Sequence, residues 1–148
     1  SPLISILSCL YPLYTDVWYF IDTNGQYVTG WQFINGNWYY FAGNTVMTTG
    51  WQYVNGNWYY MDASGAMKTG WQYINGKWYF LEKSGTMTMG WQYISGHWYY
   101  MDWTGVMTTG WQYIGGHWYY MNADGIMVTG RHYINKRWYY FNANGVWN

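Results

Sequence analysis

Tryptophan and tyrosine are the residues whose number and spacing could do chemistry. The chain has 14 Trp and 20 Tyr but 5 Phe among 148 residues. Trp18, Trp38, Trp58, Trp78, Trp98, Trp118 and Trp138 recur every 20 residues. Tyr follows each of them, and then a third aromatic: Phe20, Tyr40, Tyr60, Phe80, Tyr100, Tyr120 and Tyr140. A second Trp, always after Gly, stands at Trp31, Trp51, Trp71, Trp91 and Trp111. An ordinary core uses Leu, Ile and Val, so packing alone does not account for this set. Aromatic faces carry negative potential. A box of them suits a bulky, weakly hydrated cation, above all a quaternary ammonium. A Lys-type ammonium would keep its water shell and compete poorly. Met47, Met67, Met87, Met107 and Met127 share one register, with Tyr27 and Trp147 at its two ends. That column can floor or lid such a box.

Catalytic chemistry finds less support. The carboxylates are Asp16, Asp22, Asp62, Glu82, Asp102 and Asp124. Paired acids for glycoside chemistry must face each other within about 5–10 Å. Asp22, Asp62, Glu82 and Asp102 share a register, but Ala42, Asn122 and Asn142 fill it elsewhere, so turn capping is the expected role. His97 and His117 follow turns where other repeats have Asn or Lys, which places them in solvent. Cys9 has no His near it in sequence and no disulfide partner. The chain is expected to be non-enzymatic, without cofactor or metal.

The elements that must position the rings follow from the repeat. Asn75-Gly76 lies between Gly70-Trp71-Gln72-Tyr73-Ile74 and Lys77-Trp78-Tyr79-Phe80, the signature of a two-residue type I′ hairpin with positive φ at both central positions. Asn35-Gly36, Asn55-Gly56, Ser95-Gly96 and Gly115-Gly116 repeat the turn, and Asn135-Lys136 departs from it. This register pairs Ile74 with Lys77 and Trp71 with Phe80. Side chains alternate between faces. Trp71, Tyr73, Trp78 and Phe80 therefore share one face, and Gln72, Ile74, Tyr79 and Leu81 the other. Both faces are largely apolar, which an isolated hairpin cannot sustain in water. The expected fold is all-β, a β-solenoid of stacked two-stranded hairpins with a 20-residue repeat. In the connectors, Gly25, Gly65, Gly85, Gly105, Gly125 and Gly145 supply a left-handed turn position. Thr45 replaces this Gly, so that turn is expected to be built differently.

Two domains are expected. Residues 1–17 form an N-terminal capping segment in which Tyr11-Pro12-Leu13-Tyr14 reads as a degenerate strand. Residues 18–148 form six full repeats and a terminal half-repeat. Arg131-His132 and Lys136-Arg137 charge the last repeat, as suits a solvent-facing end. Six basic residues balance six acidic ones, which argues against nucleic acid. No apolar run approaches the ~20 residues of a membrane span.

The run Gly50-Trp51-Gln52-Tyr53-Val54-Asn55-Gly56-Asn57-Trp58-Tyr59-Tyr60-Met61, followed by Gly65-Ala66-Met67-Lys68-Thr69-Gly70-Trp71, resembles the choline-binding repeat of pneumococcal and phage cell-wall proteins. The resemblance covers residues 18–148. It implies choline held between successive hairpins by two Trp of one repeat, an aromatic of the next and a Met. Carried over by position, with the third aromatic chosen from the face assignment, the sites are Trp31, Trp38, Tyr60 and Met67; Trp51, Trp58, Phe80 and Met87; Trp71, Trp78, Tyr100 and Met107; Trp91, Trp98, Tyr120 and Met127; and Trp111, Trp118, Tyr140 and Trp147. Arg131 stands where a wall Trp belongs, so no site is expected at Trp138. Tyr11 in place of Trp weakens one at Trp18. The implied partner is choline or phosphocholine on teichoic or lipoteichoic acid, and the implied location is extracellular, on a Gram-positive cell wall. Rival readings are a glucan-binding module, since rings also stack on sugars, and an adhesin for a host protein. Trp147 and the apolar N-terminal segment offer end faces for a homodimer.

Overall fold

The computed structural model describes the backbone of Ser5–Cys9 and residues 17–148. All regular structure in them is β, in seven separate two-stranded antiparallel sheets. β1 (Ser5–Cys9) pairs with β2 (Val17–Ile21). Six tight hairpins follow. They are β3 (Gly30–Ile34) with β4 (Asn37–Phe41), β5 (Gly50–Val54) with β6 (Asn57–Met61), β7 (Gly70–Ile74) with β8 (Lys77–Leu81), β9 (Gly90–Ile94) with β10 (His97–Met101), β11 (Gly110–Ile114) with β12 (His117–Met121), and β13 (Gly130–Ile134) with β14 (Arg137–Phe141). The partner of β2 is thus Ser5–Cys9, within the expected capping segment. Tyr11–Tyr14, expected as a degenerate strand, lie outside the described residues.

The hairpin register is the one the turn chemistry implies. Ile34 opposes Asn37, Phe33 opposes Trp38, and Trp31 opposes Tyr40. Both central turn residues have positive φ, as in Asn35 (50°) and Gly36 (85°). Two expectations need correcting. Asn135-Lys136 makes the same turn as the rest, with φ of 48° and 70°. Thr45 likewise takes the connector's left-handed position at φ 72°, and its N–H donates to the Ala42 carbonyl at 2.8 Å, matching Gly65 N–H to Asp62 carbonyl at 2.9 Å. The connector backbone is therefore common to all repeats. What changes is the side-chain acceptor: Asn44 Oδ1 accepts from Val46 N–H, where Asp62 Oδ1 accepts from Ala66 N–H.

Each connector folds back on its own hairpin and reaches the preceding one. Met67 bridges to Met61 while its N–H donates to the Trp38 carbonyl at 2.8 Å. The residue closing each second strand is buried almost completely in both bodies, Phe41, Met61 and Leu81 in one and Met101, Met121 and Phe141 in the other. These side chains gain most from stacking, because a lone hairpin would leave them wet.

The chain divides into two compact bodies, residues 1–70 with 81–87 and residues 71–80 with 88–148. In the first, Phe20, Ile34 and Phe41 form a core patch joined by Val28, Tyr39 and Met47. In the second, Val128, Ile134 and Phe141 do so, joined by Trp111, Tyr120 and Tyr139. No helix among the described residues is long and apolar enough to cross a membrane.

Candidate functional site

Within the first body, the opposed strands β3 and β4 bring Trp31 and Trp38 together at 6.4 Å between ring centroids, nearly perpendicular at 84°. They make a corner rather than a stack. Tyr59 of the next hairpin stands 4.8 Å from Trp31 at 68°. Met67 is fixed beside Trp38 by the N–H to carbonyl bond described above. The four enclose a cavity of about 280 Å³, with Lys83 and Ser84 at its mouth.

The second body repeats this twice. Trp71 and Trp78 meet at 6.3 Å and 85°, with Tyr99 4.9 Å from Trp71. With Met107 they bound about 320 Å³, and Ala123 and Asp124 lie at the mouth. Trp91 and Trp98 meet at 6.3 Å, with Tyr119 4.8 Å from Trp91. With Met127 they bound about 310 Å³, with Ala143 and Asn144 at the mouth. These volumes sit at the small end for ligand sites, the size of a compact organic group. The outer Trp of each corner stays 42% exposed, so a ligand can enter without the fold opening.

Two more Trp corners exist. Trp51 and Trp58 meet at 6.4 Å in the first body, and Met87 N–H donates to the Trp58 carbonyl at 2.8 Å. In the second body Trp111 and Trp118 meet at 6.3 Å, Tyr139 lies 4.9 Å from Trp111, and Trp147 takes the Met register 5.7 Å from Trp111.

The ring that closes each cavity is the middle aromatic of the triplet, not the last. Tyr60, Tyr100 and Tyr120, expected in the sites, lie instead against Trp51, Trp91 and Trp111 of their own hairpins at 5.1–5.3 Å. Phe80 does the same with Trp71 at 5.1 Å. Tyr140 opposes Arg131 across its own hairpin and is mostly exposed, while Tyr139 faces Trp111. The physical reason is the sense of stacking. Within each body hairpins stack front to back, so the Trp face of one repeat meets the opposite face of the next, where the middle Tyr sits. One signal in the sequence favours this. Tyr19, Tyr39, Tyr59, Tyr79, Tyr99, Tyr119 and Tyr139 are all Tyr, whereas the third position mixes Phe and Tyr.

The titratable groups keep the loops in shape. Asp22, Asp62 and Asp102 each accept two connector N–H groups on Oδ1, and Asn122 and Asn142 do the same. Partial burial pushes the Asp62 carboxyl up, but hydrogen bonds from Ser64 and Ala66, with the charge of Lys68, bring it below its usual value. Burial, then the Asp102 carboxylate, push the Tyr79 phenol up, so it stays neutral. Arg131 places its guanidinium carbon 4.8 Å from the Trp138 ring centroid, and that ring already faces an internal cation.

The family model described as choline-binding repeat matches residues 28–69, 68–107 and 108–146. No curated protein sequence matches the chain. Among solved structures, choline-binding protein F of Streptococcus pneumoniae, determined in the presence of a peptidoglycan analogue, is 40% identical with a TM-score of 0.85, over 89% of this chain and 49% of that one. The same protein in complex with ipratropium is 39% identical with a TM-score of 0.87, over 100% of this chain and 47% of that one. The multimodular pneumococcal cell wall endolysin from phage Cp-1, complexed with choline, is 36% identical with a TM-score of 0.57, over 81% of this chain and 37% of that one. The chain therefore spans half or less of the length of these structures. With the repeat matched over most of its residues and the paired hairpins in register with it, the chain belongs to the choline-binding repeat family.

Proposed function

We propose that the Trp–Trp–Tyr–Met cavities bind choline and that the chain anchors to phosphocholine-bearing teichoic acid on a Gram-positive cell wall. The observation that carries this is the recurrence of one cavity, built from Trp31, Trp38, Tyr59 and Met67 and again from Trp71, Trp78, Tyr99 and Met107 and from Trp91, Trp98, Tyr119 and Met127. Three ring surfaces and a polarisable thioether favour a trimethylammonium group over a hydrated metal ion. The solved endolysin relative carries choline. The Trp51–Trp58 and Trp111–Trp118 corners are further candidates for the same ligand.

Each ring contributes about 0.5–2 kcal/mol when desolvated. Three rings, less the cost of immobilising the ligand, leave about 4 kcal/mol, a dissociation constant on the order of 1 mM. One such grip does not hold a protein. Several in one chain, facing a polymer with many choline groups, hold it through effective concentration.

Calorimetric titration with choline, read beside Trp fluorescence, tests the reading. Tyr99→Ala should remove or weaken about tenfold one equivalent of binding, and Tyr100→Ala should not. Equal stoichiometry and affinity in Tyr99→Ala and the parent chain would refute the assignment of the third ring. Absence of any choline response would refute the function, and retention on dextran instead would favour a sugar ligand.

A further inference from the structure

The three cavities have the same walls but different mouths. The mouth residues come from the connector two hairpins further along: Lys83 and Ser84, Ala123 and Asp124, Ala143 and Asn144. Their charges are positive, negative and neutral. Ser84 is engaged within its own loop, its hydroxyl donating to Thr86 Oγ1 at 3.0 Å, so Lys83 is the group that adds chemistry there. Glu82, next to it, is exposed and sits in the loop-capping register.

Choline in a phosphodiester carries an anionic phosphate two methylenes and an oxygen from the quaternary nitrogen. With the nitrogen between the rings, the phosphate must lie at the mouth. A lysine there attracts it as a flexible point charge. A carboxylate repels it while adding to the attraction for the bare cation. We propose that Lys83 makes the Trp31–Trp38 cavity selective for phosphocholine, and that Asp124 makes the Trp71–Trp78 cavity selective for choline without phosphate. This inference rests on reading the cavities as choline sites, and it assigns the specificity of each to one mouth residue.

The test is residue-resolved. Indole signals of Trp38 and Trp78 in the full chain are followed during titrations with choline, phosphocholine and glycerophosphocholine at low ionic strength. The phosphocholine-to-choline affinity ratio should be higher at Trp38 than at Trp78. Exposed charge pairs set the scale: Lys83→Ala should lower the ratio at Trp38 about 2–5-fold and Lys83→Glu about 5–20-fold, and Asp124→Lys should raise it at Trp78 by a similar factor. High salt should erase these differences. If choline binds both cavities but the ratios are equal and unmoved by either charge reversal, the mouth assignment is overturned while the cavity assignment stands. If choline moves neither indole, both fall. Retention on teichoic-acid-bearing walls and on phosphatidylcholine vesicles separates polymer from lipid headgroup as the phosphate source. Weaker retention of Lys83→Glu on either matrix supports the assignment and names the source, and unchanged retention on both overturns it.

Discussion

Gly85→Ala separates what the connector glycine does for the backbone from what it does for the site. Gly85 has φ +89°, and a Cβ built on it would fall on the Met67 sulfur, 2.8 Å from Met67 Cε and 3.0 Å from Cγ. Met67 is a wall of the Trp31–Trp38 cavity. Gly36 makes a clean control, since its φ is +85° but a Cβ there meets nothing within 4 Å. Both alanines should cost about 1–2 kcal/mol for the left-handed conformation. Gly85→Ala should cost about 1–3 kcal/mol more, because Met67 must leave a packed position. Urea unfolding gives the difference, and a choline titration reads the displaced wall as weaker binding by one equivalent. The pair Gly85→Ala with Met67→Ala should be less destabilised than the sum of the single variants, since the second change removes what the first collides with. Equal stability of Gly85→Ala and Gly36→Ala, with unaltered choline binding, would refute the reasoning. Thr45 shows why the rule is local: it sits in this left-handed position where the repeat before has Tyr27 in the Met register.

Other perturbations report on the loops and the charged end. Asp62→Ala should cost about 1 kcal/mol through the lost N–H acceptor, and Asp62→Asn much less, since Asn122 and Asn142 do the same work; thermal unfolding distinguishes them. The folded Asp62 carboxyl lies below its ordinary value of 3.8, so its contribution is present above that pH and is lost as pH falls through the folded value. Asp62→Asn should flatten that acid limb. Arg131→Ala should cost about 0.5–1 kcal/mol of stability through the lost cation–π contact and shift the emission of Trp138, which the guanidinium now covers at 4.8 Å; unchanged emission and stability would show that the contact contributes nothing.

The hairpins were legible because a type I′ turn leaves little choice. Asn or Gly at positive φ, two residues long, fixes which residues oppose each other, and Trp31 opposite Tyr40 follows at once. The departures at Thr45 and Lys136 mislead because local propensity does not decide the backbone there. A left-handed non-glycine costs about 1–2 kcal/mol, but a connector built another way would forfeit the Met47 N–H bond to the Trp18 carbonyl and the burial of Phe41. The repeat overrides the residue. The third ring was not legible from face alternation, which says on which side of a hairpin Tyr59 or Tyr60 lies but not which side of its neighbour it meets. The mouth residues were further out of reach, since nothing local in Trp38 announces Lys83.

The same contacts that make the cavities also hold the stack, and this constrains how binding can be dissected. Trp111 packs against the cluster of Val128, Ile134 and Phe141 as well as against Tyr139. Trp71 touches Trp78, Phe80 and Tyr99. Truncating a half-buried inner Trp therefore removes core packing along with a cavity wall, at less than the ~3–5 kcal/mol of a fully buried ring, and loss of binding in such a variant does not by itself locate a ligand. The outer Trp of each corner and the mouth residues are more exposed, so their substitution changes the ring surface or the charge the ligand meets with less disturbance of the buried residues of either body. In the proposed reading the inner Trp packs each cavity wall into the fold and the mouth residue sets what the cavity accepts. The side chain at the mouth comes from a connector whose backbone is fixed by its own hydrogen bonds, so Lys83, Asp124 and Asn144 can differ while the Trp–Trp–Tyr walls stay alike.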